Sequence, residues 1–137
     1  MEADFTRRTV MEVLGIEVAE MNADRVVMTM PITDAARQPY GLLHGGVSVV
    51  LAESCASLAT WLNIDQTSQM GVGIEVNANH VRAKRDGTVT AVATPIHRGR
   101  TMMVWDVRIA DEEQRLVCVA RCTVAVVARD PRSAEVR

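Results

Sequence analysis

The stretch GGVSVVLAESCASLATWL, residues 45–62, decides the fold. Its apolar residues point in nearly every direction around a helix axis, whereas a helix at a protein surface carries one apolar stripe and one polar face. A helix that is apolar on all sides has to be covered on all sides, so we expect the rest of the chain to enclose it. The many small residues of the stretch allow the covering elements to approach closely.

The covering elements are predicted to be strands of one antiparallel sheet. Between Met103 and Ile109 every second residue is apolar, a period of two that is typical of a strand with one buried face. The extended runs lie at about 16–21, 25–32, 70–83, 88–97, 101–110 and 115–128. The turns KRDG, HRGR and DEEQR are short enough to join antiparallel neighbours. We therefore predict an α+β domain in which one curved antiparallel sheet wraps around one long central helix.

Length and composition limit the class of protein to which this chain can belong. The 137 residues fit one domain, 1–137, and 48% apolar with 23% charged residues is typical of a globular protein. A short helix is predicted at about 5–14, ending at Gly15, and a disordered-like tail at about 129–137. The net charge of -2 gives no electrostatic reason for a nucleic acid or an anionic membrane as partner. No apolar run approaches the roughly 20 residues of a membrane span, and the three cysteines form no disulfide or zinc pattern, so we expect a cytoplasmic protein.

His44, Gly45 and Gly46 stand at the predicted start of the central helix. Backbone N–H groups at a helix start have no partner within the helix, and the helix dipole adds positive potential there. A glycine lets a carbonyl oxygen come close to these donors, as stabilisation of an oxyanion requires. A purely structural role stays open as well, because the glycines can serve only a sharp entry into the helix and His44 can cap the helix or pack in the loop.

Glu53 is a single carboxylate within the apolar helix. A charged group at such a position needs a hydrogen-bonding or ionic partner, or it has a functional role. Ser57 follows one turn later on the same face and can hold the carboxylate or a water. Gly45 lies eight residues before Glu53, about 12 Å along a straight helix, so the two cannot touch one carbonyl group within one chain. A second subunit would resolve this conflict. The alternative is a structural carboxylate that meets a facing strand or a dimer interface.

Phosphate binding is the second chemistry that the sequence permits. Basic residues cluster at two predicted turns. Arg82, Lys84 and Arg85 lie near the first turn, and Arg98 and Arg100 lie in the second. Both turns could contact phosphates, although basic residues in turns are usually only solvated. No metal site is predicted, because the three histidines lie far apart in sequence and form no ligand pattern: His44, His80 and His97.

The segment QPYGLLHGGVSVVLAESCAS, residues 38–57, resembles the active-site segment of hotdog-fold acyl-CoA thioesterases of the glutamate type. That branch contains one class of 4-hydroxybenzoyl-CoA thioesterases, the 1,4-dihydroxy-2-naphthoyl-CoA hydrolases and the broader PaaI-like group. The later segment VGIEVNANHVRAKRDGTVTAVATPIHRGRTMMVWDVRI, residues 72–109, resembles the second half of these proteins. The resemblance covers about residues 10–128 and implies the hotdog fold, in which a curved antiparallel sheet surrounds one long helix.

The resemblance also implies a role for each residue of the motif. Gly45 would polarise the thioester carbonyl through its N–H, and Gln38 and His44 would help to position or polarise that carbonyl. Glu53 of the facing subunit would act as nucleophile or as general base for water, and Ser57 would orient the water. Such a site needs no metal or redox cofactor, since a thioester carbonyl is already electrophilic.

Substrate and assembly follow from the same resemblance. Arg82, Arg98 and Arg100 would be candidates for binding the CoA phosphates. The active sites would lie across a homodimer interface, and a dimer of dimers, a homotetramer, is common in this branch. Ser57 stands where some relatives have Thr, which preserves the hydroxyl group. The candidates for acyl specificity are Trp61, Met70 and Val72, of which Trp61 is better explained as a core residue.

The sequence therefore predicts hydrolysis of a small acyl-CoA to free acid and CoA, with aromatic acyl groups among the candidates. One alternative is a non-catalytic protein that binds acyl-CoA or an acyl carrier, which would not need Glu53. Another alternative is a hotdog hydratase or dehydratase, but these use a His and an acidic residue at a longer spacing than the nine positions between His44 and Glu53.

Overall fold

A computed structural model describes residues 9–130. Two helices, one short 3-10 turn and six strands follow one another along this part of the chain: α1 (Val10–Leu14), β1 (Glu17–Asn22), β2 (Arg25–Pro31), the 3-10 turn (Asp34–Ala36), α2 (Gly45–Trp61), β3 (Gln69–His80), β4 (Thr88–Arg98), β5 (Met102–Ala110) and β6 (Leu116–Ala128). The strands form one antiparallel sheet in the order β1-β2-β4-β5-β6-β3. The predicted α+β architecture is confirmed.

The helix α2 packs against five of the six strands, from β2 through β6, so the sheet has to curve around it. Leu51, Cys55 and Ala59 are fully buried on the covered side of α2. From the sheet, the buried Trp105 donates a hydrogen bond from Nε1 to Thr60 Oγ1 at 2.9 Å. Small residues on the helix and one large aromatic on the sheet thus fill the space between the two layers.

Burial of α2 on every side was expected, and for a single chain that expectation is wrong along one stripe. The residues of this stripe are half-buried or exposed, and their spacing follows the turns of the helix: Gly46, Val50, Glu53, Ser54, Ser57 and Trp61. We call these six residues the open stripe. Counting apolar residues around a helix shows how much surface needs cover, but it does not show which direction the rest of the same chain leaves uncovered.

The edge strand β3 lies next to β6 and has no second neighbour among the described strands. It contains a β-bulge between Gly73 and Glu75. Two large apolar residues near this bulge are exposed, Val72 at 41% and Ile74 at 58%. An exposed apolar sheet edge is a surface suited to pairing with another chain.

The termini are described only in part. The predicted helix at 5–14 is present as α1, which ends at Gly15 in the left-handed conformation with φ 68°, while residues 5–8 lie outside the described residues. Of the predicted tail at 129–137, only Arg129 and Asp130 are described. Within residues 9–130, no helix is both long and apolar enough to cross a membrane.

Candidate active site

The N–H groups of the two glycines at the start of α2 differ in their hydrogen bonding. His44 is the N-cap residue, and its Nδ1 accepts a hydrogen bond from the Gly46 N–H at 2.9 Å. The Gly45 N–H has no acceptor among the described residues. It therefore points out of the helix start as an unused donor at the positive end of the helix dipole. Because Nδ1 of His44 is an acceptor, the neutral ring carries its proton on Nε2, which remains a possible donor.

Gln38 lies on the loop before α2, and its side chain is fixed at one end. Its Oε1 accepts a hydrogen bond from the Tyr40 N–H. Its backbone N–H donates to Leu42 O at 2.8 Å, and its carbonyl accepts from Gly41 N at 2.9 Å, where Gly41 has the positive φ of 85° that favours glycine. Since Oε1 is occupied, the Nε2 amide group is the part of Gln38 that is free to donate to a ligand.

Gln38 and Gly45 share a cavity of about 300 Å³. Its walls come from the loop before α2, the first turn of α2, the end of β3 with the residues that follow it, and β6: Gln38, Leu42, Leu43, Gly45, Ser48, His80, Arg82, Ala83 and Val117. The cavity thus combines an apolar wall with amide donors, an imidazole and a guanidinium. This mixture suits a ligand that has a carbonyl group and anionic parts.

His80 is a residue of this cavity that sequence reasoning missed as a functional candidate. Its imidazole lies over Gly45, because a Cβ on Gly45 would stand 2.9 Å from His80 Nε2. The alternation of side chains along β3 could have indicated His80, since Val76, Ala78 and His80 share the face that packs toward the helix. The buried Ser48 in the first turn of α2 was missed as well.

Glu53 and Ser57 do not line this cavity. Both lie on the open stripe, and neither side chain has a hydrogen-bond partner among the described residues. The Glu53 carboxylate lies against β3, where a Cβ on Gly73 would stand 2.2 Å from Glu53 Oε1. The chain therefore brings Gln38 and Gly45 together at one place and leaves Glu53 with Ser57 at another, as the helical separation requires.

The cysteines offer no alternative nucleophile. Burial, with the Glu53 and Glu75 carboxylates as further causes, raises the pKa of Cys122 to about 12, and burial raises the pKa of Cys55 to about 12. Burial also raises the pKa of Cys118. A thiol has to ionise before it attacks a carbonyl carbon, so these three remain unreactive at neutral pH.

Of the three arginines predicted to bind phosphates, only Arg82 lines the cavity. Arg98 donates from Nη1 to Ala23 O at 3.0 Å and to Asp24 Oδ1 at 2.7 Å, beyond the last turn of α2. Arg100 lies exposed in the following turn. Since the 17 residues of α2 span roughly 25 Å, Arg98 and Arg100 are far from the cavity of their own chain. Within residues 9–130, no group of three His, Cys, Asp or Glu side chains could hold a metal ion.

Comparison with known proteins agrees with this fold. Residues 40–118 match the thioesterase superfamily. The 1,4-dihydroxy-2-naphthoyl-CoA hydrolase of Escherichia coli (strain K12) is 46% identical over 114 residues, which are 83% of this chain and 83% of that protein. A crystal structure of a mutant of thioesterase PA1618 from Pseudomonas aeruginosa superimposes with a TM-score of 0.88 at 44% identity, covering 90% of this chain and 89% of that one.

A structure of a thioesterase protein from Streptococcus pneumoniae TIGR4, solved with coenzyme A, superimposes with a TM-score of 0.75 at 27% identity. It covers 88% of this chain and 98% of that one. The hotdog architecture, the family match and the extent of these similarities lead to one conclusion. The chain belongs to the thioesterase superfamily and is an acyl-CoA thioesterase with the hotdog fold.

Proposed function

We propose that the protein hydrolyses the thioester of a small aromatic acyl-CoA in a site assembled from two copies of the chain. The observation that carries this proposal is the separation of Gly45, with its unused N–H, from Glu53, with its unpaired carboxylate. The aromatic substrate class is supported by the similarity to a 1,4-dihydroxy-2-naphthoyl-CoA hydrolase. Binding of the CoA part is supported by the similarity to a thioesterase solved with coenzyme A.

The edge of β3 supplies the dimer contact in this proposal. Along β3, Gly73 lies beside Glu53 and His80 lies over Gly45. If two β3 edges pair antiparallel around a twofold axis near the middle of the strand, Gly73 of one chain comes beside the His80 end of the other. The partner subunit's Glu53 then faces Gly45. The same pairing covers Ile74 and the open stripe, and two such dimers would form the homotetramer that the resemblance implies.

The proposed reaction begins with the thioester carbonyl oxygen at the start of α2. The oxygen accepts hydrogen bonds from the Gly45 N–H and from Gln38 Nε2, and these bonds strengthen as negative charge develops on it. The carboxylate of the partner's Glu53 removes a proton from a water that attacks the carbonyl carbon, or it attacks that carbon itself and water then cleaves the anhydride. In both routes the C–S bond breaks, CoA leaves as a thiolate and takes up a proton. The partner's Ser57, one helical turn after the partner's Glu53 on the same helix face, orients the water.

The CoA phosphates are proposed to bind between the two chains. Arg82 lies at the cavity of one subunit. Antiparallel pairing of β3 brings the far end of the partner's α2, with the partner's Arg98 and the partner's Arg100, toward that cavity. Arg98 already holds Asp24, so Arg100 is the freer cation of the two. The reaction uses no cofactor, and the three free, buried cysteines agree with a cytoplasmic location.

Release of free CoA thiol from aromatic and aliphatic acyl-CoAs tests this function, with Glu53→Gln as the main variant. We expect an aromatic acyl-CoA to be the best substrate and Glu53→Gln to lower kcat about 10²- to 10⁴-fold. Glu75→Gln is the matched control, because Glu75 is an exposed carboxylate on β3, close to the Gly73 that Glu53 contacts, and bonds only Asn77 among the described residues. Full activity of Glu53→Gln, or binding of acyl-CoA without turnover by the unaltered protein, would contradict the proposal.

A further inference from the structure

We propose that Arg37 is a positioning residue, which holds the Gln38 carboxamide at the cavity by joining its loop to the end of β2 and to residues 81–87. The inference rests on the proposed function, since Gln38 receives its role there. Arg37 directly precedes Gln38, and the loop that carries both has little regular structure: the 3-10 turn and one isolated bridge between Arg37 and Leu43. Gln38 therefore belongs to no helix or strand, and the bonds of Gln38 itself all end within the same loop, at residues 40–42, so they do not tie it to the rest of the fold.

The guanidinium of Arg37 makes three hydrogen bonds to three different places. Nε donates to Arg85 O at 2.8 Å, Nη2 donates to Ile32 O at 3.1 Å, and Nη1 donates to Asp34 Oδ1 at 2.6 Å. The Arg37 side chain is 27% exposed, whereas the Asp34 side chain is fully exposed, so the ion pair itself contributes little to stability. Of the bonds that Arg37 makes, the two to backbone carbonyls are the ones that tie the loop to its neighbours.

These carbonyls belong to two segments next to the loop that carries Gln38. Ile32 follows β2 and begins the loop, and its N–H donates to Gly87 O at 2.8 Å. Arg85 belongs to the segment 81–87, whose Lys84 O accepts the Leu43 N–H at 2.7 Å. That segment also carries Arg82, which lines the same cavity as Gln38. Arg37 thus sets the position of Gln38 relative to the segment that carries Arg82.

A lysine at position 37 cannot make the three hydrogen bonds of the Arg37 guanidinium. A guanidinium presents its donors in a rigid planar fork, so one side chain can reach three acceptors that lie in different directions. An ammonium group is a single point charge at the end of a flexible chain. We therefore expect Arg37→Lys to keep the positive charge and to lose the fixed geometry.

The first test compares Arg37→Lys with Arg25→Lys, a control on β2 whose exposed guanidinium makes one ion pair, to Glu20 at 3.3 Å. Arg37→Lys should lower kcat about tenfold, because a small misplacement of a polarising group costs that much, with a smaller change in KM. In a Gln38→Ala background the same substitution should have no further effect on kcat. A wild-type kcat in Arg37→Lys, or an equal loss in the Gln38→Ala background, would overturn the proposal.

The second test does not depend on hydrolysis. Amide hydrogen exchange at Gly41, Leu43 and His44, whose N–H groups are all hydrogen-bonded, should become about tenfold faster in Arg37→Lys and stay unchanged in Arg25→Lys. Unchanged exchange would show that the loop does not depend on Arg37, and complete unfolding of Arg37→Lys would show a general structural role; either result overturns the proposal. If no acyl-CoA is hydrolysed by the unaltered protein, the proposed function fails while exchange still decides the role of Arg37 in the loop.

Discussion

The carboxylate of Glu53 occupies the space in which a side chain on Gly73 would lie. Gly73 is not among the glycines with positive φ, so its backbone does not require glycine. What requires glycine is the room for Oε1, since a Cβ would approach it to 2.2 Å, closer than any normal contact. A glycine on β3 thereby determines where a carboxylate on α2 can stand.

Gly73→Ala should move Glu53 away from its position without unfolding the protein. We expect kcat for acyl-CoA hydrolysis to fall at least about tenfold, because a displaced Glu53 would lose the alignment with the carbonyl carbon that its proposed role as base or nucleophile requires. Gly71→Ala is the control, since its Cβ would meet Thr60 and Val124 rather than Glu53 and should cost stability with kcat retained. Steady-state kinetics and thermal unfolding of both variants check this, and equal kcat losses in the two variants would contradict it.

A second prediction concerns the close approach of His80 and Gly45. In Gly45→Ala the new Cβ would displace the exposed His80 ring and crowd the approach of a carbonyl oxygen to the residue 45 N–H, so the variant should fold but lose about ten- to a hundredfold in kcat/KM. Replacing His80 by Ala in the same chain removes the obstacle. We expect the double variant to hydrolyse acyl-CoA faster than Gly45→Ala alone. Additive losses in this double-mutant cycle would show that the two residues act independently.

A third prediction concerns the edge of β3. Ile74→Lys places a charge on the apolar edge that is proposed to form the dimer, and charged residues at sheet edges prevent pairing. The variant should sediment as a monomer and lose most of its hydrolytic activity, since each chain then lacks its partner's Glu53. Val13→Lys is the control, because Val13 on α1 is 72% exposed and lies on an element apart from the sheet. An active monomer of Ile74→Lys would exclude a shared site.

A fourth prediction concerns the dependence of stability on pH. Burial alone would raise the pKa of Asp111, but hydrogen bonds from the N–H groups of Arg115 and Glu113 and from the Arg115 guanidinium outweigh it, so its pKa lies below the ordinary 3.8. A lowered pKa means that the contribution to stability is present above 3.8 and is lost as the pH falls through the pKa of the folded state. Asp111→Asn should therefore destabilise more at neutral pH than in strong acid.

Urea unfolding of Asp111→Asn and of the unaltered protein at neutral pH and near pH 2 to 3 checks this expectation. The difference in free energy of unfolding between the two proteins should shrink toward acid. Glu113→Gln is a suitable control, because its side chain is largely exposed and takes part in a single longer ion pair with Arg115 at 3.4 Å. A difference that does not change with pH would contradict the assignment.

Much of the fold could be predicted from local patterns. The period of two in the strands and the apolar residues all around α2 depend on neighbours in sequence, so both indicated an antiparallel sheet around a helix. The order of the strands could not be predicted in the same way, because the pairing of β3 with β6 joins distant parts of the chain. The position of β3 at an edge, and with it the open stripe, follows only from that pairing.

The residues of the candidate site also differ in whether local sequence or distant contacts determine their place. Gln38, Gly45 and Glu53 could be named as candidates from the sequence because they lie in one continuous motif. His80 was not, since its place over Gly45 depends on how the end of β3 packs against a helix that precedes it in sequence. The sequence grouped Arg82 with Arg98 and Arg100 by charge, whereas the fold places Arg98 beside Asp24 and leaves only Arg82 at the cavity of the same chain.

The open stripe has a consequence for how activity depends on the amount of protein. In the proposed dimer, the Glu53 carboxylate is uncovered in its own chain and acts only on the substrate of the neighbouring chain. An isolated chain would then be inactive, and twofold symmetry would make the two sites of a pair form and be lost together. Specific activity should then fall on dilution below the dissociation constant of the pair and return on concentration or on substrate binding, which favours the assembled state by mass action.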